Sequence, residues 1–129
     1  MIKFDWEGVR RAINFYEKRS FKCHPICKPG TVHHNPIPRD LRGKILITPN
    51  VFTVGKDADD LFTLKLALHR NCQFVDNDQY QDWKSGYRPG LEKYSLQKIE
   101  ELHVCYMFDA TGTFVPLKDP ILTPLLSDE

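Results

Sequence analysis

The chain has 129 residues, of which 41% are hydrophobic, and its formal net charge is +1. This length suits one domain with its own core, and a near-neutral charge gives no compositional sign of a nucleic-acid binder. No run approaches the roughly 18 apolar residues of a membrane helix, and the start of the chain lacks an apolar leader, so we expect no membrane contact and a cytoplasmic, or else nuclear, location.

The first predicted element is a helix with Asp5 as its N-cap. Apolar residues then recur at helical spacing, and the pattern stops near Arg19–Ser20. Residues 21–27 suit a short strand that Pro25 makes irregular, and the proline-rich stretch 28–39 is predicted to be a loop.

Cysteines occur at positions 23, 27, 72 and 105. Cys23 and Cys27, with His33 and His34 nearby, raise the possibility of a zinc site. Their spacing is not that of a standard zinc finger or ribbon. Reduced cysteines of an intracellular protein are therefore the favoured interpretation.

Strand and helix patterns alternate in the rest of the chain. Residues 44–48 form a continuous β-branched run typical of a buried parallel strand, and a helix that starts at Asp57 or Asp59 carries Leu61, Leu64 and Leu68 on one face. The remaining predicted elements are a strand at 72–75, a helix within 91–102 with Leu96, Ile99 and Leu102 facing inward, a strand at 103–108, a turn at 109–112 and a strand at 113–115. Such alternation implies a three-layer α/β domain with a largely parallel sheet over residues 1–120, followed by a tail at 121–129.

Acidic residues flank the central helix and the strand that follows it. Asp59 and Asp60 open the helix, and Asp76-Asn77-Asp78 follows the strand. In a parallel sheet both segments would lie at the same edge, where their oxygens would suit a magnesium ion. The alternative for the first segment is helix capping, because carboxylates at a helix start satisfy free N–H groups.

Several longer segments form a recognisable set. They are FDWEGVRRAINFY at 4–16, ILITP at 45–49, DDLFTLKLA at 59–67, FVDNDQYQD at 74–82, and VCYMF with FVPLKDP within 104–120. The double aspartate followed at this distance by N-D-x-Y-x-D is fairly specific. Together, and over nearly the whole chain, these segments resemble the NYN ribonuclease domain of the Regnase (MCP-induced protein) type, a branch of the PIN-like nucleases.

The resemblance implies a three-layer PIN-like fold with a mostly parallel central sheet. It also implies a metal-dependent endoribonuclease that cuts single-stranded or loop RNA in RNA turnover or small-RNA pathways. Asp59, Asp60 and Asp78 match the acidic positions that hold Mg²⁺ or Mn²⁺ in that family. Asp82 matches a further acidic position of the catalytic set, and Asn77 is expected to orient Asp78 or the turn around it.

Candidate contacts with single-stranded RNA lie beside the acidic segments. The basic residues with this placement are Lys56, Lys65, Arg70, Lys84 and Arg88. Trp83, Tyr80 and Tyr87 are candidates for stacking on bases, although Tyr80 is favoured as a packing residue. For each basic residue, the alternative is an ordinary solvated surface charge.

The chain departs from the family pattern at its start. The family has a further strand before the first helix, and the Asp at its end is a principal metal ligand. Only residues 1–3 precede the match here, and Asp5 is placed to cap the helix. The strand could lie upstream in a longer protein, or a second copy or a paralogous nuclease could supply it. Alternatively, the domain is a degenerate nuclease that binds RNA or a partner protein without cutting. A missing central strand is expected to expose Ile45 and Ile47.

Overall fold

Helices and strands alternate in the computed structural model, which describes residues 4–48, 58–77, 80 and 93–120, with the backbone alone at 58–61 and 93–95. The described elements are helix α1 (Trp6–Glu17), strand β1 (Ile26–Cys27), helix α2 (Pro29–His34), a 3-10 turn (Arg39–Leu41), β2 (Leu46–Ile47), α3 (Ala58–Arg70), β3 (Phe74–Val75), α4 (Lys93–Leu102), β4 (His103–Val104), β5 (Tyr106–Phe108) and β6 (Phe114–Pro116). This mixture of helices and strands is compatible with the predicted α/β class. None of the described helices is long and apolar enough to cross a membrane. The predicted tail at 121–129 lies outside the described residues.

Helix α1 begins where the sequence predicts. The Asp5 carboxylate accepts a hydrogen bond from the backbone N–H of Glu7 at 2.9 Å, which satisfies one of the free donors of the first turn. Trp6 and Ile13 are buried on the same side of the helix and pack with Leu41 of the 3-10 turn. This cluster fixes α1 against the segment that leads into β2.

The proline-rich stretch after β1 is partly helical, so the prediction of a loop over 28–39 is wrong for α2. Pro29 occupies the first helical position, where its missing N–H is not needed and its fixed φ suits a helix. The N–H of Asn35 donates to the carbonyl of Thr31 at 2.9 Å and closes this short helix. Proline disrupts a helix only in the interior, so a proline-rich segment can contain a helix that begins at a proline.

Strands β1 and β2 form a parallel pair in which Ile26 faces Leu46 and Cys27 faces Ile47. The strand predicted at 44–48 is therefore shorter than expected. Its predicted burial is wrong, because Leu46 is 45% exposed and Ile47 is 43% exposed. The expected exposure of Ile47 is confirmed, whereas Ile45 is only half-buried.

A second unit is built from α3, β3, α4 and β4. The predicted inward face of α4 is confirmed, and that of α3 is confirmed for Leu64 and Leu68. Leu64, Ile99 and Leu102 are buried in one cluster with Phe74, and Leu68 and Leu96 pack against it. The side chain of Leu61 lies outside the described part of the structure. Strands β3 and β4 pair in parallel, with Phe74 opposite His103 and Val75 opposite Val104. Helices α3 and α4 also contact each other, so this strand pair belongs to a helix-covered core.

The predicted strand at 103–108 is divided at Cys105. Its first part, β4, pairs with β3, and its second part, β5, pairs antiparallel with β6. The predicted turn at 109–112 is confirmed: the Asp109 carboxylate accepts from the N–H groups of Thr111 and Thr113, each at 2.9 Å, and Gly112 has a φ of 82°. A positive φ of this size is the conformation that glycine adopts without strain.

The β5–β6 hairpin packs on α1. Phe114 of β6 is only 4% exposed. Its ring lies 5.3 Å from that of Phe15 and 5.7 Å from that of Tyr16, centroid to centroid. The described strands thus form three separate pairs, of which two are parallel and one is antiparallel.

Candidate functional site

A polar network lies at the carboxyl end of β3. Asp76 directly follows this strand, and its Oδ1 is 2.9 Å from Nε2 of His103. The same Nε2 is 3.0 Å from the backbone carbonyl oxygen of Asp76. Both oxygens are acceptors, so Nε2 carries the proton and donates. The Tyr80 hydroxyl donates to the other carboxylate oxygen of Asp76.

Strand register explains why these residues meet. Side chains alternate between the two faces of a strand, so Phe74 and Asp76 project from the same face. His103 is the parallel-strand partner of Phe74, and the two rings are stacked with centroids 4.9 Å apart and planes 7° apart. The Tyr80 ring packs edge-on against both, at 5.9 Å from Phe74 and 5.5 Å from His103. The Phe74 and Tyr80 rings therefore pack around the His103 ring that contacts the Asp76 carboxylate.

Burial differs sharply within this network. The side chain of His103 is 7% exposed, whereas that of Asp76 is 32% exposed. A buried imidazole is costly unless its polar atoms are hydrogen-bonded, and the Asp76 carboxylate supplies the partner for Nε2. Asp76 thus joins the buried ring to the protein surface. The expected packing role of Tyr80 is confirmed by its 5% exposure.

Asn77 anchors the next position of the same turn. Its Oδ1 accepts a hydrogen bond from the backbone N–H of Tyr106 at 2.9 Å. Tyr106 begins β5, so this bond ties the turn after β3 to the start of the hairpin. The contact agrees with the expected role of Asn77 in orienting the turn. Cys105 lies beside the network, with its Sγ 4.0 Å from Nε2 of His103.

The aspartates predicted from the sequence are described only in part. Asp59 and Asp60 lie in the first turn of α3, where the backbone alone is described, and Asp78 and Asp82 lie outside the described residues. Asn71 directly follows α3 and has a positive φ of 49°. Leu64 of α3 then shares a cluster with Phe74 and Tyr80.

Two of the five predicted RNA contacts can be placed. Lys65 and Arg70 are both exposed. Arg70 is the last residue of α3, and the helical rise puts it about 16 Å along the axis from Asp59. The other three, Lys56, Lys84 and Arg88, lie outside the described residues, as do the stacking candidates Trp83 and Tyr87.

The cysteine-rich segment forms part of the first hydrophobic cluster. Cys23 and Cys27 pack against the group of Trp6, Ile13 and Leu41, and burial raises the pKa of both thiols. Burial together with the charges of Arg70 and Lys22 lowers the pKa of His24. Within the described ranges, no group of three or more histidine, cysteine or acidic side chains is placed to hold a metal ion.

Asp76 and His103 are the residues that sequence reasoning missed. In the sequence, Asp76 stands out only as part of an acidic turn, and no pattern singles out His103. The available signal was positional: an Asp directly after one strand and a His at the start of another share a face if the strands pair in parallel. The pairing register was needed to use it.

Comparison with known proteins adds no assignment. No family-wide sequence profile matches the chain, and no curated protein matches it at a significant level. The resemblance to NYN ribonucleases therefore stays a prediction. The function has to be inferred from the residues of the site themselves.

Proposed function

We propose that this protein is a metal-dependent endoribonuclease of the PIN-like (NYN) type that cuts single-stranded or loop RNA in the cytoplasm or nucleus. The observation that carries the proposal is the placement of the turn that begins at Asp76. It follows β3, which pairs in parallel with β4 and whose Phe74 is buried in the cluster shared by α3 and α4. Active sites of α/β proteins form beyond the carboxyl ends of parallel strands. In the full proposal the strand pairs belong to one largely parallel central sheet between helical layers.

The donor set suits a hard divalent cation. Asp59, Asp60 and Asp78 would hold Mg²⁺ or Mn²⁺, because such ions prefer carboxylate oxygens and keep several waters. A bound ion lowers the pKa of its water and offsets negative charge on the phosphate. Asp82 would complete the acidic set beside these ligands. The carboxylates would repel one another without the ion, so we expect the ion to stabilise this end of the domain.

Single-stranded RNA is the proposed substrate. Lys65 and Arg70 are exposed along α3 and separated by more than one helical turn. Both are proposed as contacts with RNA phosphates. Lys56, Lys84 and Arg88 are proposed as further phosphate contacts because of their place in the sequence.

The direct test is cleavage of an end-labelled single-stranded RNA by the full chain with magnesium, compared with EDTA. Asp78→Asn and Asp59→Asn should each reduce the rate by about 100-fold or more, since residues that merely orient metal ligands already cost about 10–100-fold. Asp119→Asn is the matched control, because Asp119 is an exposed aspartate outside the acidic segments. An Asp78→Asn variant that cuts as fast as the parent would show that the site is wrongly assigned.

A second candidate function is favoured by the exposure of β2. Leu46 and Ile47 are 45% and 43% exposed, and within the described part of the chain β2 pairs only with β1. An open apolar strand can accept a strand from another chain. A catalytically impaired module that binds RNA or a protein partner would form a stable complex, with itself or with a paralogous nuclease, and leave RNA intact. Gel filtration with light scattering, run beside the cleavage assay, distinguishes the two functions.

A further inference from the structure

The buried imidazole of His103 has no role in the chemistry proposed above. We propose that His103 is a positioning residue, which acts through Asp76 to fix the orientation of the acidic turn that carries Asp78. The inference rests on the proposed function for its catalytic consequence. Its structural content, that one buried side chain sets the conformation of this turn, can be measured without any cleavage.

Hydrogen bonds hold the turn on both sides of Asp78. Before it, the N–H of Asp76 donates to the carbonyl of Val104 at 3.1 Å, and the Asp76 carboxylate accepts from His103 at 2.9 Å. Asn77 accepts from the N–H of Tyr106. After it, the Tyr80 hydroxyl returns to Asp76. In the sequence, Asp78 directly follows Asn77 and lies two positions before Tyr80.

His103 is the member of this network that is least expected on packing grounds alone. It lies flat on Phe74 in an apolar setting, with its side chain 7% exposed. An aromatic or aliphatic side chain would fill this space without the cost of burying a polar ring. What such a side chain could not do is donate to Asp76. In a site of low dielectric, that bond is stronger than it would be in water.

The hydrogen bond from His103 stabilises the Asp76 carboxylate and also fixes its orientation. Nε2 faces both the carboxylate and the backbone carbonyl of Asp76, at 2.9 Å and 3.0 Å. One donor thus fixes the side chain relative to its own main chain at the point where β3 ends. The Tyr80 hydroxyl holds the second carboxylate oxygen. Residues that orient metal ligands in this indirect way commonly change metal affinity about 10–100-fold when they are replaced.

A matched pair of substitutions distinguishes the role of the His103 N–H donor from the role of the His103 ring. His103→Phe keeps an aromatic ring against Phe74 and removes the donor, whereas His103→Gln removes the ring and keeps an N–H donor near the position of Nε2. We expect His103→Phe to raise the Mg²⁺ concentration for half-maximal RNA cleavage by about 10–100-fold. His103→Gln should stay close to the parent. The reverse order of the two variants would overturn the proposal.

Amide hydrogen exchange of the full chain without metal tests the structural part separately. His103→Phe should speed exchange at Asn77 and Tyr80 while leaving α1 unchanged, and His103→Gln should restore slow exchange. A parent that does not cut RNA would reject the endoribonuclease, and the exchange data would still decide the positioning role. Exchange that rises equally throughout the chain, or not at all in the turn, would overturn that role.

Asp76→Ala provides a second check, because Asp76 is partly exposed and its removal does not empty the core. If His103 acts through Asp76, adding His103→Phe to Asp76→Ala should cause no further change in exchange at Asn77 and Tyr80. A second, additive increase there would show that His103 acts by another route and would refute the proposal. This comparison remains available if His103→Phe folds poorly in the parent background.

Discussion

The two parallel strand pairs in the described part of the chain, β1–β2 and β3–β4, have strands of the same length but differ in what covers them. In the β1–β2 pair, Leu46 and Ile47 are both more than two-fifths exposed. In the β3–β4 pair, Phe74 is 8% exposed and Val104 is 1% exposed, because α3 and α4 pack over this unit. Pairing supplies backbone hydrogen bonds in both places. Because α3 and α4 cover the β3–β4 pair, side chains of that pair become part of a hydrophobic core.

The same difference separates the polar contacts of the two regions. Near β1–β2, Arg10 bridges Glu7 and Asp40, with an Arg10 Nε to Asp40 Oδ2 distance of 2.7 Å, and the Arg10 guanidinium holds the pKa of the Asp40 carboxyl below its ordinary value. These groups are open to solvent, where ion pairs contribute little. Beside β3–β4, the donor to Asp76 is the His103 ring, whose side chain is 7% exposed. Burial therefore decides which polar network can hold a fixed geometry.

The largest expected effect tests whether the covered pair carries the stability. Leu64→Ala removes a side chain that is 0% exposed, and it should lower the free energy of unfolding by about 2–5 kcal/mol. Leu46→Ala on β2 is the matched control. Because Leu46 is 45% exposed, its replacement should lower the free energy of unfolding by only about 0.5 kcal/mol. Urea unfolding followed by circular dichroism measures both. Equal losses would mean that β2 is covered in solution, as by a second copy of the chain.

Helix faces and caps were predictable from the sequence because they depend on local spacing. Leu64, Ile99 and Leu102 recur at helical intervals and are buried, and Asp5 caps α1 as expected. The exposure of Leu46 was not predictable from its own segment. A β-branched run has the same pattern whether or not another part of the chain covers it.

For the site, the sequence predicts which positions carry acidic residues but not which side chains contact one another. The acidic turn after the strand at Phe74 follows from the order of elements. The link between Asp76 and His103 joins residues 27 positions apart in the sequence. It depends on the parallel register, in which Phe74 faces His103. A shift of that register by one residue would turn His103 to the opposite face. No local pattern specifies such a register.

An intermediate effect is expected when the network loses one hydroxyl. Tyr80→Phe keeps the ring against Phe74 and removes the donor to Asp76, so it should lower the free energy of unfolding by about 1–2 kcal/mol. Tyr106→Phe is the control, because no hydrogen bond of the Tyr106 hydroxyl occurs in the described part of the chain. Urea unfolding again measures both. Similar small losses would mean that the bond to Asp76 contributes no more than an exposed contact.

The smallest expected effect concerns the cysteines near the two strand pairs. Burial raises the pKa of Cys27, which lies in β1, and of Cys72, which precedes β3. The folded state therefore favours the neutral thiol. Its contribution to stability is fully present below the ordinary thiol pKa near 9, and it is lost as the pH rises through the raised value in the folded state. We expect the urea concentration at the unfolding midpoint to fall as the pH rises above about 9. The decrease should be larger in the parent than in a Cys27→Ala, Cys72→Ala double variant.

Alkylation then compares the two pairs directly, because only an ionised and accessible thiolate reacts quickly. Native Cys27 and Cys72 should both react more slowly with iodoacetamide at pH 8 than the same residues in urea. Cys27 belongs to the exposed pair, and Cys72 is held at the end of α3 by its N–H bond to the Ala67 carbonyl at 3.2 Å. Local opening is easier where fewer buried contacts must break, so Cys27 should react first, by several-fold, in a mass-spectrometric time course. If Cys72 reacts first, the helix-covered unit opens more readily than the exposed pair, and the difference in stability inferred from burial is reversed.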